Sequence, residues 1–150
     1  MKLIIFLVLL APLLYAKQCR QGAFFSRDRT KCFLMVASDV NFTVAEKYCA
    51  DAEGHLASVH NQFDAHVPGI GEGPLPLYWI GGHDSTNNDT WSWTDGSEFD
   101  FAYWAAGEPS HKTGKNCIIA DIYTHIWSAA DCSTEVSFLC ELPPIEYEEQ

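Results

Sequence analysis

The chain opens on an unbroken apolar stretch. From Leu3 to Leu14 about a dozen residues run without a charge, preceded by Lys2 and followed by the small residue Ala16. That is the shape of a secretory leader, here residues 1–16, removed from the mature protein. The run is shorter than the roughly 20 residues a bilayer span needs. Leu14 is larger than usual three positions before the cut, which leaves the scission point open.

Beyond the leader, apolar and polar positions come in short blocks. Ala23-Phe24-Phe25, then Ser26-Arg27-Asp28-Arg29-Thr30, then Phe33-Leu34-Met35-Val36 predict a hairpin between Cys19 and Cys32, marginal without a bridge across its ends. Ala45, Tyr48, Cys49 and Ala52 recur at helical spacing and predict one buried helix face. Thr43-Val44-Ala45-Glu46 reads as its capping box and Gly54 as its stop. Leu56-Ala57-Ser58-Val59 predicts a short strand. Asn61 caps a second, shorter helix, with Asp64 in its first turn and Pro68-Gly69 as its end. The glycine- and proline-rich piece from Gly69 to Pro76 is a loop. The pattern then turns to β: Tyr78-Trp79-Ile80, Trp91-Ser92-Trp93 before the turn Asp95-Gly96, Cys117-Ile118-Ile119-Ala120 and Phe138-Leu139-Cys140. Helices first and strands later predict an α+β domain.

Composition narrows this. Cutting after residue 16 leaves 134 of the 150 residues, the size of one domain. The formal charge is −11, and losing Lys2 makes it −12 with eight basic residues in no stripe. Such a surface repels phosphate backbones and anionic lipid, so neither nucleic acid nor a membrane surface is an expected partner. No later stretch is apolar enough to span a membrane, and residues 142–150 read as an acidic tail without a hydrophobic anchor signal. Cys19, Cys32, Cys49, Cys117, Cys132 and Cys140 all follow the leader. In an oxidising compartment they read as three disulfides whose pairing the spacing leaves open. No Cys-x-x-Cys pair exists for a zinc ribbon or redox site. Asn41-Phe42-Thr43 and Asn88-Asp89-Thr90 are glycosylation acceptors.

Together these residues resemble the C-type lectin-like family. The opening pattern is Cys19-Arg20-Gln21-Gly22 with Cys32-Phe33. Ala45-Glu46-Lys47-Tyr48-Cys49 and Gly54-His55-Leu56-Ala57-Ser58-Val59 follow. The central signature is Trp79-Ile80-Gly81-Gly82, Trp91-Ser92-Trp93-Thr94-Asp95-Gly96 and Tyr103-Trp104. Gly107-Glu108-Pro109, Asn116-Cys117, Trp127, Cys132 and Phe138-Leu139-Cys140-Glu141 complete it. The match runs in order through residues 19–141. The resemblance implies a C-type lectin-like fold with two helices, small antiparallel sheets and a long ligand loop. It also implies the pairs Cys49 with Cys140, Cys117 with Cys132 and, as an extra N-terminal bridge, Cys19 with Cys32.

Sugar-binding members of the family hold a calcium ion in the loop. Calcium takes about 6–8 oxygen ligands, which the family supplies as Glu and Asn around a proline, a Glu before the third core cysteine, and Asn-Asp after the late tryptophan. Here Glu108 stands, but Ser110 replaces the Asn, Lys115 replaces the second Glu, and Ser128 and Ala129 replace Asn-Asp. An ammonium at the cation's place costs about 1–4 kcal/mol at 4 Å, depending on dielectric. At the accessory calcium position Asp84 matches, while Asn88 stands where an acid is expected. An alternative register would recruit Asp121 or Asp131. The expectation is therefore no cofactor, with calcium the unfavoured alternative.

Catalysis is a remote reading. Ser58 near His60, or Glu108 with Asp121, would be the nucleophile-and-base or carboxylate pair of a hydrolase, but neither sits in a motif. His55 belongs to the family scaffold, and His55 and His60 do not make a zinc helix. His83, His111 and His125 fall in predicted loops as solvated surface. Trp79, Trp93, Trp104 and Trp127 are scaffold; Trp91 or Tyr123 is the exposed aromatic, if any. The resulting expectation is a secreted, non-enzymatic module that binds an extracellular glycan or protein through the loop from Gly82 to Lys115. Glu108, Ser110, Lys115 and Asn116 are its candidate ligand residues, and the family resemblance suggests a role in defence or surface recognition. The sequence leaves the oligomeric state open.

Overall fold

Short alternating blocks become short strands. The structure, a computed structural model, describes residues 15–66, 76–110 and 113–148. It begins with β1 (Tyr15–Gln18), β2 (Phe24–Phe25) and β3 (Cys32–Val40), then α1 (Phe42–Asp51), β4 (His55–Leu56) and α2 (Gln62–Ala65). The second half holds β5 (Leu77–His83), β6 (Ser92–Trp93), β7 (Cys117–Asp121), β8 (Trp127–Ala130), β9 (Val136–Leu142) and β10 (Ile145–Glu148). The leader's first 14 residues, the predicted stop at Pro68-Gly69, His111 and most of the loop from Gly69 to Pro76 lie outside the described residues.

A sheet of eight strands organises the domain in the order β2-β3-β9-β5-β7-β8, with β4 on β9 and β6 on β5, beside a two-stranded sheet of β1 and β10. Its pairings are antiparallel except one: β5 and β9 run parallel, Trp79 opposite Phe138. A parallel neighbour needs a long connection, and the loop and the β7–β8 hairpin lie between those two strands in the chain. The predicted hairpin forms, with Phe24 opposite Phe33. In its turn Asp28 accepts from the Ser26 hydroxyl and from the Thr30 N–H and hydroxyl, which hold its carboxyl at about 2, below the ordinary carboxylate range.

The first helix differs from its expected ends and face. Its cap is Asn41, whose side chain accepts from the Val44 N–H, and not Thr43. Glu46 cannot close a capping box because its carboxylate is engaged by the His55 ring, 2.6 Å away, and by the Leu56 N–H at 2.8 Å. Phe42, Ala45 and Cys49 are the buried positions. Tyr48 is instead 50% exposed, leaning edge-on against Phe138. At the far end Glu53 takes the left-handed conformation, φ 67°. Gly54 is needed for room: a Cβ there would overlap the Glu141 carbonyl oxygen.

The residues read as a tail also differ. Leu142 ends β9 and is buried, and Ile145–Glu148 pair antiparallel with β1, Lys17 opposite Glu146. The alternation Ile145, Tyr147 is a strand pattern hidden among glutamates. Three disulfides tie the fold: Cys19–Cys32, Cys49–Cys140 and Cys117–Cys132. They are the pairs that the family resemblance implies.

Candidate functional site

Between β6 and β7 the chain leaves the sheet for more than twenty residues, yet aromatic side chains pin it back. Phe99, Phe101 and Trp104 pack around Trp127 with ring centres 6.2, 5.9 and 5.7 Å away, and Trp93 closes the cluster at 5.6 Å. Backbone bonds add to this: Trp127 N–H donates to Tyr103 and Ala105 N–H donates to Trp127. Trp91 is packed on Trp104 at 4.9 Å and is not the exposed aromatic. Of those two, Tyr123 is the exposed one, at 68%. Large rings with few rotatable bonds fix a loop at low entropic cost.

Polar residues also converge. Ser110, Lys115 and Asn116 line a polar cleft of about 80 Å³ with Asp84, Asn87, Asp89 and Thr113. Asp84 is buried at its floor and accepts from the Thr86 N–H and hydroxyl and from the Asp89 N–H. Burial pushes its carboxyl upward, but these hydrogen bonds outweigh it and hold the group below the usual range. Asn116 donates from its amide to Asn87 at 2.6 Å. Asn88 is exposed and accepts from the Thr86 hydroxyl; Asn41 uses its side-chain oxygen as the helix cap.

Glu108 is held from two sides. Its Oε2 accepts the Ser110 N–H at 2.8 Å and the Ala129 N–H at 2.9 Å, which ties the loop to β8. The Ser110 hydroxyl is buried without a hydrogen-bond partner among the described residues. Ala129 contributes only backbone, and Ser128 lies beside it in β8. Asp121 caps its own turn, accepting from Tyr123 and Thr124, and Asp131 does the same for Ser133. Among the described residues no group of three or more His, Cys, Asp or Glu side chains is gathered to hold a metal.

Ser58 and His60, the serine and histidine considered as a pair, each bond to other side chains. Ser58 is fully buried, and its hydroxyl donates to Glu141, which also holds Lys31 at 2.9 Å. His60 turns elsewhere: its Nδ1 meets Asp100 at 2.7 Å and its Nε2 meets Ser97 at 3.1 Å. Sequence spacing gave no sign of this serine, histidine and aspartate row, which joins residues 37 and 40 apart. The Ser97 hydroxyl proton is directed to Asp95, at 2.6 Å, and not to the imidazole. The row fastens the loop to the entry of α2. His83, expected in a loop, ends β5 with its Nδ1 buried and unpartnered among the described residues.

The family model described as the Lectin C-type domain matches residues 38–142. Ladderlectin of Oncorhynchus mykiss is 36% identical over 107 residues, covering 68% of this chain and 55% of its own length. The galactose-specific lectin nattectin of Thalassophryne nattereri is 32% identical over 127 residues, covering 81% and 79%. Among solved structures, a calcium-independent type II antifreeze protein superimposes with a TM-score of 0.75 at 25% identity, covering 87% of this chain and 98% of its own.

Proposed function

This chain belongs to the C-type lectin domain family, and on that premise we propose that it is a secreted, non-enzymatic module that recognises an extracellular glycan or protein through its long loop without calcium. The observation that carries the proposal is the donor set of the cleft. The family's cation position needs about 6–8 oxygens. Here the one matching carboxylate, Glu108, already accepts two backbone N–H groups through one oxygen, and Lys115 brings an ammonium to the cleft that Asp84 and Asp89 also line. With Ala129 offering no side-chain donor, the residues present do not fit a calcium ion.

The same groups suit polar recognition. The Lys115 ammonium is a three-proton donor, Asn116 offers an amide, and the buried Ser110 hydroxyl gains a partner when a ligand hydroxyl or carbonyl enters. The galactose specificity named for nattectin supports a carbohydrate ligand, and the calcium independence named for the antifreeze protein supports recognition on this fold without the ion. No helix among the described residues is long and apolar enough to cross a membrane. With the leader, the three disulfides and the two glycosylation acceptors, Asn41 and Asn88, this supports an extracellular location. Neither the buried Ser58 nor the Asp95-bound Ser97 is poised as a nucleophile, which supports a binding role.

A glycan array probed with the purified protein tests this. Binding is expected to survive EDTA and to weaken about tenfold or more in Lys115→Ala, the loss of one charge-assisted hydrogen bond. Binding abolished by EDTA and restored by calcium would instead establish the calcium-dependent lectin with an atypical ligand set. A blank array would assign the cleft to a protein ligand.

A further inference from the structure

Away from the cleft two imidazoles meet that are 59 positions apart in the chain. His66 caps the C-terminus of α2, and His125 sits in the β7–β8 turn; their ring centres are 4.6 Å apart and tilted by 58°. We propose that His66 and His125 form a surface site for a borderline divalent metal ion, zinc above all, held through the two Nε2 atoms and completed by water.

Geometry favours it first. A zinc ion sits about 2.0–2.1 Å from a ligating ring nitrogen. That is roughly 3.2 Å from the ring centre, so two rings ligating at about 90–110° have centres near 4.5–5.2 Å apart. The observed separation lies in that window.

The opposite ring nitrogens are also placed for it. His66 Nδ1 is 2.7 Å from the Gln62 carbonyl oxygen. A carbonyl only accepts, so Nδ1 carries the proton and the lone pair is on Nε2. A backbone carbonyl on the far nitrogen is how metal-ligating histidines are oriented. His125 is set by its backbone: its N–H donates to the Asp121 carbonyl at 2.7 Å and its φ is 60°. Its Nδ1 is 3.4 Å from the hydroxyl of the buried Tyr78.

The groups facing the pair complete the electrostatics. Burial first, then the neighbouring His66, hold His125 below the ordinary histidine value, against the pull of Asp121. His125 is therefore neutral near pH 7, as a ligand nitrogen must be. Burial, with Asp121 adding, raises Tyr78, which stays protonated. The Tyr103 ring lies 6.4 Å from His66. Asp121 also acts on His125, and its negative charge favours a bound cation. Imidazole suits zinc, whereas calcium seeks oxygen, so this site and the loop cleft are chemically independent.

The test is calorimetric titration of zinc chloride into the tag-free, disulfide-intact protein at about pH 7.4. One equivalent is expected to bind with a dissociation constant in the micromolar range. His66→Gln and His125→Asn should each weaken it about tenfold or more; asparagine is chosen because it tolerates positive φ. Millimolar calcium should leave the zinc affinity unchanged, and acidification to about pH 5.5 should weaken it, because only a neutral imidazole ligates the metal. In the unmodified protein, zinc should shift the ring resonances of His66 and His125 before those of any other histidine. No saturable binding up to millimolar zinc, an affinity unchanged in both variants, or ring shifts confined to other histidines would each overturn the site.

Discussion

Replacing Cys49 and Cys140 together by alanine is expected to leave the chain largely unfolded at about 37 °C. The bridge joins α1 to β9 across 91 residues, and both half-cystines are fully buried. Without the crosslink the unfolded chain regains loop entropy that a chain-entropy estimate puts at about 4–5 kcal/mol. Total stabilities of domains this size run to about 5–15 kcal/mol, so this one bond accounts for much of the margin. Two methyl groups also replace a packed sulfur pair in the core cluster that includes Phe42, Leu56 and Leu142. Opening Cys117–Cys132, which spans 15 residues, should cost less, about 3 kcal/mol. Thermal melts followed by near-ultraviolet dichroism would check both. Equal losses for the two bridges would show that strain or residual structure, and not loop entropy, sets their value.

Trp127→Ala is expected to cost about 3–5 kcal/mol, the range for emptying a buried aromatic site. Four aromatic rings meet this indole: Trp93, Phe99, Phe101 and Trp104. Three of them belong to the long loop, so the damage should not be uniform. Amide exchange should rise most between residues 99 and 105 and at β8, and much less in the β3–β9 pair. Trp127→Phe, which keeps a ring in the site, should lose only about 1–2 kcal/mol. Denaturant titration of the three proteins gives the stabilities. A uniform rise in exchange across the sheet would mean that the cluster is general core rather than the anchor of the loop.

Elements with a strong local period were legible in the sequence, and the ends of α1 were not. The hairpin around Asp28, the Asn61 cap of α2 and the apolar strands β5, β7 and β9 follow from residues close together in the chain. The cap of α1 falls on Asn41 and not on Thr43 because the box that Thr43 would open needs Glu46. That carboxylate is drawn away by His55 and Leu56, nine and ten residues on. Gly54 looked like a helix stop, whereas its role is set by Glu141 on another strand. Disulfide pairing came only with the family resemblance, since spacing alone does not say which half-cystines the sheet brings together.

The same division holds for the site. Glu108, Ser110, Lys115 and Asn116 were named because they occupy motif positions, and three of them share the cleft with Asn87 and Thr113, which no motif flagged. The clamp on Glu108 by the Ala129 N–H, the row of Ser97, His60 and Asp100, and the meeting of His66 with His125 are long-range. Each depends on the loop and hairpins being folded against the sheet. His125 read as solvated surface because nothing near it in the chain announces Tyr78 or His66.

The proposed calcium-free recognition rests on charge and donor count at the loop cleft, and calorimetric titration of calcium into the unmodified protein tests that most directly. No saturable heat is predicted up to millimolar calcium. In the same experiment S110N/K115E/S128N/A129D, which restores side-chain oxygens and removes the ammonium, should bind one ion with a dissociation constant of about 10⁻⁴–10⁻³ M, as weak extracellular sites do. Stoichiometric micromolar binding by the unmodified protein, lost in Glu108→Gln, would contradict the account.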